Sequence, residues 1–320
     1  MTAFPQPPDD SYAVIYLEDS DKPLPEKINQ NTRYAYFKTI ARGGKSIIQS
    51  CKDMHLGRLV CYKQLRPEFE NNAIEQRRFL REARVSAMLQ HPNTVPTYEI
   101  GRDNRGQYFF TMKLVHGYTL REIFDYRERY DLTQLMDVII QIAQALAYAH
   151  SHRVVHRDIK PENILVGPFG EVLLLDWGLA KVWHSDGTPA AAGTSAAPDL
   201  QAGTSAASSD ITGQGNLEGT ITYMSPEQIR RDPDIDYRTD VFSIGAVLYE
   251  ALCGRPPAEA ETVREVSALI LEEQPQKPSE HSRVPIPELL ESAAMACLHK
   301  DPNQRIENCL ELVRLLQQDW

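Results

Sequence analysis

The chain has 320 residues, 42% of them hydrophobic and 24% charged, and its 34 Lys and Arg against 44 Asp and Glu give a formal net charge of −10. That is enough apolar material for one large core or two moderate ones, and it excludes an overall disordered chain. The acid excess argues against nucleic acid as the main partner, because neutralising phosphates takes Lys and Arg in excess. No apolar run approaches the ~20 residues that span a bilayer, and MTAFPQPPDDSY lacks a basic-then-apolar leader pattern. Five cysteines (Cys51, Cys61, Cys253, Cys297, Cys309) form no CxxC pair. No disulfide framework, zinc site or membrane segment is therefore expected, and the reducing cytoplasm is the expected location.

Residues 1–32, rich in Pro, Asp and Glu with one apolar patch from Tyr12 to Leu17, read as a mostly loose tail. Three strand-like runs follow, YFKTI, SIIQS and LVCYKQL, separated by GG and HLG turns. A charged helix is expected from about Asn72 to Leu89, then two strands (Thr94 to Ile100, Tyr108 to Leu114) around the turn DNRG. Beyond Gly117 the period becomes helical: Leu135, Val138, Ile139, Ile142, Leu146 and Ala149 recur at i, i+3, i+4 and i+7. Asp240 to Leu252 is apolar nearly all round, so that helix should be buried, and further helices fit Pro287 to Leu298 and Glu307 to Gln318. Strand-sized runs in this half occur only at Ile164 to Val166 and Val172 to Leu175. The expectation is a small β-rich part with one helix, then a larger, mainly α part. Residues 184–217, dominated by Ala, Gly, Ser and Thr, cannot bury enough apolar surface to offset ordering entropy and read as a flexible insertion.

VVHRDIKPENILV, residues 154–166, runs into the first of the two late strands, and LLLDWGLAK, residues 173–181, runs out of the second. Phosphoryl transfer needs a carboxylate to orient the attacking hydroxyl, a second to hold Mg²⁺ on the phosphates, and cations to take up charge. Asp158 suits the first role, Asn163 and Asp176 offer hard oxygens for the metal, and Lys160 would reach the γ-phosphate. Glu82 shares a helical face with Phe79 and Leu89, and a carboxylate on an apolar face needs a cation, for which Lys63 is the candidate.

These motifs, in this order over residues 33–318, resemble the bacterial Hanks-type serine/threonine branch of the protein kinase family. HRDIKPEN matches the catalytic loop and DWG stands for DFG, with Trp177 a packing residue that leaves Asp176 in place. GTITYMSPEQ matches the segment ending in APE, DVFSIG the helix whose Asp240 braces the catalytic loop, and Arg305 the arginine that pairs with Glu227. VCYK matches VAIK, so the resemblance gives Lys63 to the α- and β-phosphates and Glu82 as its partner. It implies an α+β bilobal kinase fold, with a first lobe over about 33–115, a second over about 116–318, and ATP between the lobes. Ile40, Ile48, Cys61 and Leu165 would sandwich adenine, Met112 would be the gatekeeper, and Lys113, Leu114 and Val115 the hinge.

The glycine-rich loop departs from the family pattern. Ala41 and Ser46 stand for its outer glycines, Gly43 is kept and Gly44 is extra. The small residues still admit the phosphates, with altered nucleotide affinity. Lys160 and Thr220 match the serine/threonine branch rather than the tyrosine branch. The implied function is transfer of the γ-phosphate of ATP, with Mg²⁺ or Mn²⁺, to Ser or Thr of proteins and of the chain itself. Arg157 reads as a buried cation that awaits a phosphate, shared with Lys181, on Thr212, with Ser208 and Ser209 as rival sites. The competing readings are a pseudokinase scaffold, favoured only by the eroded glycine loop, and a small-molecule phosphotransferase, disfavoured by GTITYMSPEQ.

Overall fold

A computed structural model describes residues 32–126, 130–182, 221–282 and 284–318. The tail up to residue 31, the insertion at 184–217 with Ser208, Ser209 and Thr212, and Thr220 lie outside the described residues. The chain divides into two compact units. The first runs to Gly117 and adds Gly167–Glu171 and Leu175–Gly178; the second holds Tyr118–Val166, Val172–Leu174 and the residues from Leu179 onward.

The first unit is built on five antiparallel strands in the order β1-β2-β3-β5-β4: β1 (Tyr34–Arg42), β2 (Ser46–Asp53), β3 (Arg58–Leu65), β4 (Thr97–Arg102) and β5 (Tyr108–Lys113). Directly paired residues share a face, and so do residues two apart. Ile48 pairs with Lys63, Lys63 with Phe110 and Cys61 with Met112, so these side chains lie on one face. Helix α1 (Ala73–Met88) covers that face with Phe79 and Ala83, which pack with Leu65 and Phe110. Asn72 starts the helix by accepting the amides of Ile74 and Glu75 at 3.1 and 3.2 Å. The opposite face buries Cys51, Val60, Tyr62 and Phe109, with Tyr62 stacked on Phe109 at 4.5 Å.

Thr94 does not begin a strand. It makes an isolated bridge, its hydroxyl donates to the carbonyls of Leu89 and His91, and β4 begins at Thr97.

The second unit is mainly helical. Helix α2 (Leu120–Asp125) precedes α3 (Leu132–Ser151), which buries the stripe from Leu135 to Ala149 foreseen in the sequence. At 20 residues α3 is long and apolar enough to cross a membrane, contrary to the expectation that no run approaches that length. Here it packs on α5 (Arg238–Cys253) and on α9 (Cys309–Leu316), and its nine inward residues are buried. Every residue of α5 from Thr239 to Leu252 is buried. Its Gly245 lets α8 (Glu288–Cys297) approach so closely that a methyl there would meet Cys297 Cβ at 2.2 Å. Helices α4 (Pro226–Arg230), α6 (Val263–Glu272) and α7 (Pro278–His281) complete the described helical part.

Strands are more numerous here than the sequence suggested. Besides β8 (Ile164–Val166) and β9 (Val172–Leu174), two-residue strands occur at β6 (Tyr118–Thr119), β7 (Val154–Val155) and β10 (Lys181–Val182). β6 pairs with β8 and β10 with β7, which fixes both ends of the loop between β7 and β8.

Candidate active site

In the first unit, the register of β3 and the face of α1 bring Lys63 and Glu82 together. Lys63 Nζ donates to Glu82 Oε1 at 2.5 Å, and both side chains are nearly buried, at 11% and 12% exposure. Burial lowers the Lys63 ammonium, but the charges of Glu82 and Asp176 outweigh it and hold the group above its ordinary value. Burial, with Asp176 adding to it, lifts the Glu82 carboxyl against the pull of Lys63. Asp176 thus belongs electrostatically to this pair. Its backbone has φ 61°, a left-handed conformation that costs a non-glycine residue about 1–2 kcal/mol. Its Oδ1 accepts the amide of Gly178 at 3.1 Å. A methyl on Gly178 would sit 3.0 Å from Asp176 Oδ1 and 3.7 Å from Glu82 Oε2, so glycine keeps the space beside the two carboxylates open.

The β1–β2 turn is tied down without left-handed glycines. Gly43 N–H donates to Ser46 O at 2.9 Å, and Arg66 donates to Gly44 O at 3.0 Å. Neither Gly43 nor Gly44 has positive φ, and a methyl on Gly44 would meet nothing within 4 Å. Across the hairpin Ala41 pairs with Ile48, while Ile40 is 54% exposed. At the end of β5 the Lys113 amide is spent on the Pro96 carbonyl at 3.0 Å. Cys61 is buried, and Met112, Lys113, Leu114 and Val115 are half-buried.

In the second unit, residues 156–163 run from β7 through a short 3₁₀ turn, Pro161–Asn163, into β8. Asn163 Nδ2 donates to the backbone oxygen of Asp158 at 2.8 Å and to its Oδ2 at 2.9 Å. Lys160 Nζ donates to Asp158 Oδ1 at 3.1 Å and lies 3.0 Å from Oδ2. The carboxylate is thus held by an amide and a cation while staying partly exposed. Leu165, on β8, is half-buried and pairs with Leu173.

The loop is braced from below by Asp240 on α5. Its carboxylate accepts the amides of His156 and Arg157 at 2.8 Å each and faces His150 Nε2 at 2.8 Å. Burial opposes ionisation of Asp240, yet the His150 hydrogen bond, the nearby histidines and the Arg157 amide leave its carboxyl below the ordinary range. His156, fully buried, accepts the Asp158 amide on Nδ1 at 3.2 Å, a structural role. Arg305 makes a bidentate pair with Glu227 at 2.7 and 2.8 Å and also donates to the carbonyls of His299 and Arg238.

Arg157 corrects one expectation. It is half-buried rather than buried, and its Nε already donates to Leu179 O at 2.7 Å. It takes φ 68°, which turns the chain so that the amides of residues 156 and 157 both reach Asp240. Lys181 donates to Ile235 O at 2.9 Å and Pro233 O at 3.3 Å. Burial, with the charge of Arg157 adding, pushes its ammonium below the ordinary value.

Two supports escaped the sequence reading. Gln228 Nε2 donates to Arg157 O at 2.8 Å, while its backbone closes a capping box with Ser225. The spacing S-P-E-Q was the available signal for that cap. Arg121 donates to Glu162 at 3.0 Å and to Glu250 at 2.7 Å and also bonds Tyr223, a network spread over more than a hundred positions that no local pattern marks.

The protein kinase domain model matches residues 34–320. Together with the motifs and the two units, this places the chain in the protein kinase family, as a bacterial Hanks-type serine/threonine kinase domain. Among its relatives, the serine/threonine-protein kinase PknD of Protochlamydia amoebophila is 33% identical over 298 residues, 89% of this chain and 30% of the relative. PknD of Chlamydia felis is 31% identical over 293 residues, 88% of this chain and 30% of the relative. PknD of Mycobacterium tuberculosis is 29% identical over 289 residues, 90% of this chain and 40% of the relative. The chain thus spans between 30% and 40% of the length of these relatives. Family membership implies ATP as the phosphoryl donor, generally with Mg²⁺.

Proposed function

We propose that this chain transfers the γ-phosphoryl group of ATP to Ser and Thr hydroxyls of protein substrates, in the cytoplasm. The observation that carries the reading is the Asp158 carboxylate, held by Asn163 and Lys160 on a loop whose backbone is pinned by Asp240. A fixed carboxylate suits a base that orients the substrate hydroxyl and accepts its proton. Lys160 would hold the transferring phosphoryl, and Lys63 would hold the α- and β-phosphates, with Glu82 positioning it. Ile40, Ile48, Cys61, Met112 and Leu165 would contact adenine. Because the Lys113 amide is already spent, donation to the adenine edge falls to Leu114 and Val115. In the phosphate turn, Ala41, Gly43, Gly44 and Ser46 leave room for backbone approach.

The donor set suits Mg²⁺. Asp176 offers an exposed carboxylate beside Gly178, and Asn163 an amide oxygen. Mg²⁺ is commonly held by substrate phosphates plus one or two protein oxygens, which these two side chains would supply. Bound Mg²⁺, or Mn²⁺, would neutralise phosphate charge. We further propose that phosphorylation outside the described residues, at Thr212 with Ser208 and Ser209 as rivals, raises activity. The adjacent cations Arg157 and Lys181 support an anion there, even though each already has carbonyl partners.

The test is incubation with labelled ATP, Mg²⁺ and a generic protein substrate, followed by phosphoamino-acid analysis. Label on serine or threonine is expected. Nucleotide binding without transfer would establish the scaffold reading instead, and label on a small molecule alone would establish the third.

A further inference from the structure

Strand β1 pairs only with β2, so its outer edge is open among the described residues. Every residue of it from Tyr36 to Arg42 is exposed. Natural sheets blunt such edges with charge, proline or bulges, because an apolar edge invites another segment to settle on it. β1 has a bulge, at Tyr36 and Phe37, yet that bulge presents two aromatic rings. Tyr36 is 77% exposed, takes φ 58°, and has no hydrogen bond or ring contact among the described residues. That backbone conformation costs a non-glycine residue about 1–2 kcal/mol, which no contact of the side chain offsets. Phe37 is 46% exposed and meets Tyr62 edge-on at 5.1 Å, which joins it to the apolar cluster of Tyr62 and Phe109.

The charge of this sheet is as unusual as its edge. Residues 33–66 hold eight Lys and Arg against one Asp, in a chain whose net charge is −10. Four of the eight cations have acidic partners: Arg33 with Asp53 and Glu99, Lys45 with Glu75, Lys63 with Glu82, and Arg66 with Glu68. Arg58 lies over the Tyr98 ring, 3.7 Å from its centroid. The remaining three, Lys38, Arg42 and Lys52, take part in no ion pair among the described residues. Two of them are on β1, and Lys52 pairs with Ala35 beside it.

We propose that residues 12–21 of this chain, YAVIYLEDSD, dock along the outer edge of β1. The apolar run from Tyr12 to Leu17 covers Tyr36 and Phe37, and Glu18, Asp19 and Asp21 meet Lys38, Arg42 and Lys52. Complementarity and reach single out this segment. Residues 1–31 hold six Asp and Glu against two Lys, the reverse of the sheet. Their apolar run is bordered by acids, as the aromatic pair of β1 is bordered by cations. The fifteen residues from Glu18 to Thr32 span up to about 50 Å, against about 30 Å for a strand of nine residues, so the segment can fold back on β1. The tether also gives it an effective concentration of roughly millimolar, at which a weak contact suffices.

The experiment uses the whole chain. Hydrogen exchange read by mass spectrometry should show the amides of residues 12–17 exchanging about tenfold slower than in a free peptide of the same sequence. Carbodiimide, which joins touching carboxylates and amines, should link Glu18, Asp19 or Asp21 to Lys38 or Lys52. Salt at about 1 M, where the screening length is about 3 Å, should reduce the linking. Lys38→Glu with Arg42→Glu should abolish the protection, and so should Glu18→Lys with Asp19→Lys and Asp21→Lys. The two sets combined should restore it, which a loss of folding could not do. Exchange of residues 12–17 at the free-peptide rate in the unmodified chain would overturn the proposal. So would links found only between labelled and unlabelled copies in a mixture, which would make a second copy the occupant. Binding to phosphatidylserine vesicles that needs Lys38 and Arg42, with residues 12–17 unprotected, would give the edge to a lipid surface and overturn it equally.

Discussion

Replacing Asp240 with asparagine keeps the side-chain volume and removes one acceptor and the charge. In the structure that carboxylate accepts two backbone amides at 2.8 Å and faces His150 Nε2 at 2.8 Å, with no solvent access. Hydrogen bonds to a charged acceptor contribute about 1.5–3 kcal/mol each. Asparagine keeps one oxygen, but its amide nitrogen must then confront either the His156 or the Arg157 amide, donor against donor. The expected cost is about 3 kcal/mol, or roughly 6–12 °C in the melting midpoint of a unit of this size. Function should suffer more than stability. Arg157 is held at φ 68° by Asp240 on its amide and by Gln228 on its carbonyl, and Asp158 is the next residue. A displacement of the order of 1 Å costs about 10²-fold, so kcat should fall by roughly that factor while the Kd for ATP changes little. The pH dependence has a definite sign. The folded carboxyl titrates below its unfolded value of about 3.9, so its contribution is complete above that pH and is lost as pH falls through the folded value. The gap in melting midpoint between wild type and Asp240→Asn should therefore be constant near neutrality and shrink below about pH 4. Calorimetry across pH, with single-turnover phosphotransfer beside it, measures both. A variant that melts within about 2 °C of wild type and turns over normally would refute the brace.

Asp158→Asn should abolish most phosphotransfer and leave nucleotide affinity nearly intact, because its role is felt in the transition state; single-turnover rates against nucleotide titration check this. Lys63→Met should lower kcat at least about 100-fold with a smaller effect on folding, since the stranded Glu82 can take a proton; full activity would mean that another lysine serves. Asp176→Ala should remove metal-dependent activity, and catalysis persisting in chelator would sink the metal assignment. Arg305→Met should destabilise by about 3–5 kcal/mol, because it strands a buried Glu227 carboxylate; equilibrium denaturation reads this directly.

What was legible in the sequence followed from periodicity and from spacing. Helix α5 could be read because an apolar pattern on all sides leaves only burial, and Asp240, the exception within it, stands out as a residue needing partners. The Lys63–Glu82 pair was legible because a carboxylate between Phe79 and Leu89 on one face must meet a cation. The two-residue strands β6, β7 and β10 carry no period at all, and exist because each edge finds a partner distant in sequence. The start of β4 was placed early, because Thr94 makes only an isolated bridge and its hydroxyl turns back to the Leu89 carbonyl. Arg157 was misjudged because its partner is a backbone carbonyl, Leu179 O, which no residue type reveals.

The conformations of Arg157 and Asp176 show why sequence pattern stops short of the site. Both take left-handed φ, where glycine would be the undemanding choice, and neither is glycine. Gly43 and Gly44, which the eye marks first as conformational signals, have no positive φ and are not needed for the shape of their turn. Left-handed φ also occurs at Tyr36, Arg153 and Arg231, so it does not mark the site by itself; at Arg157 and Asp176 the surroundings hold it. Asp240 and Gln228 fix the peptide groups about Arg157, and the Gly178 amide meets Asp176 Oδ1. Each strained residue costs about 1–3 kcal/mol, comparable to the one or two charge-assisted hydrogen bonds that hold it, so the arrangement is stable only while those partners remain. The β1–β2 turn carries no such strain. Ala41 and Ser46 can stand where glycine is usual because that turn closes through Gly43 N–H to Ser46 O without a left-handed residue.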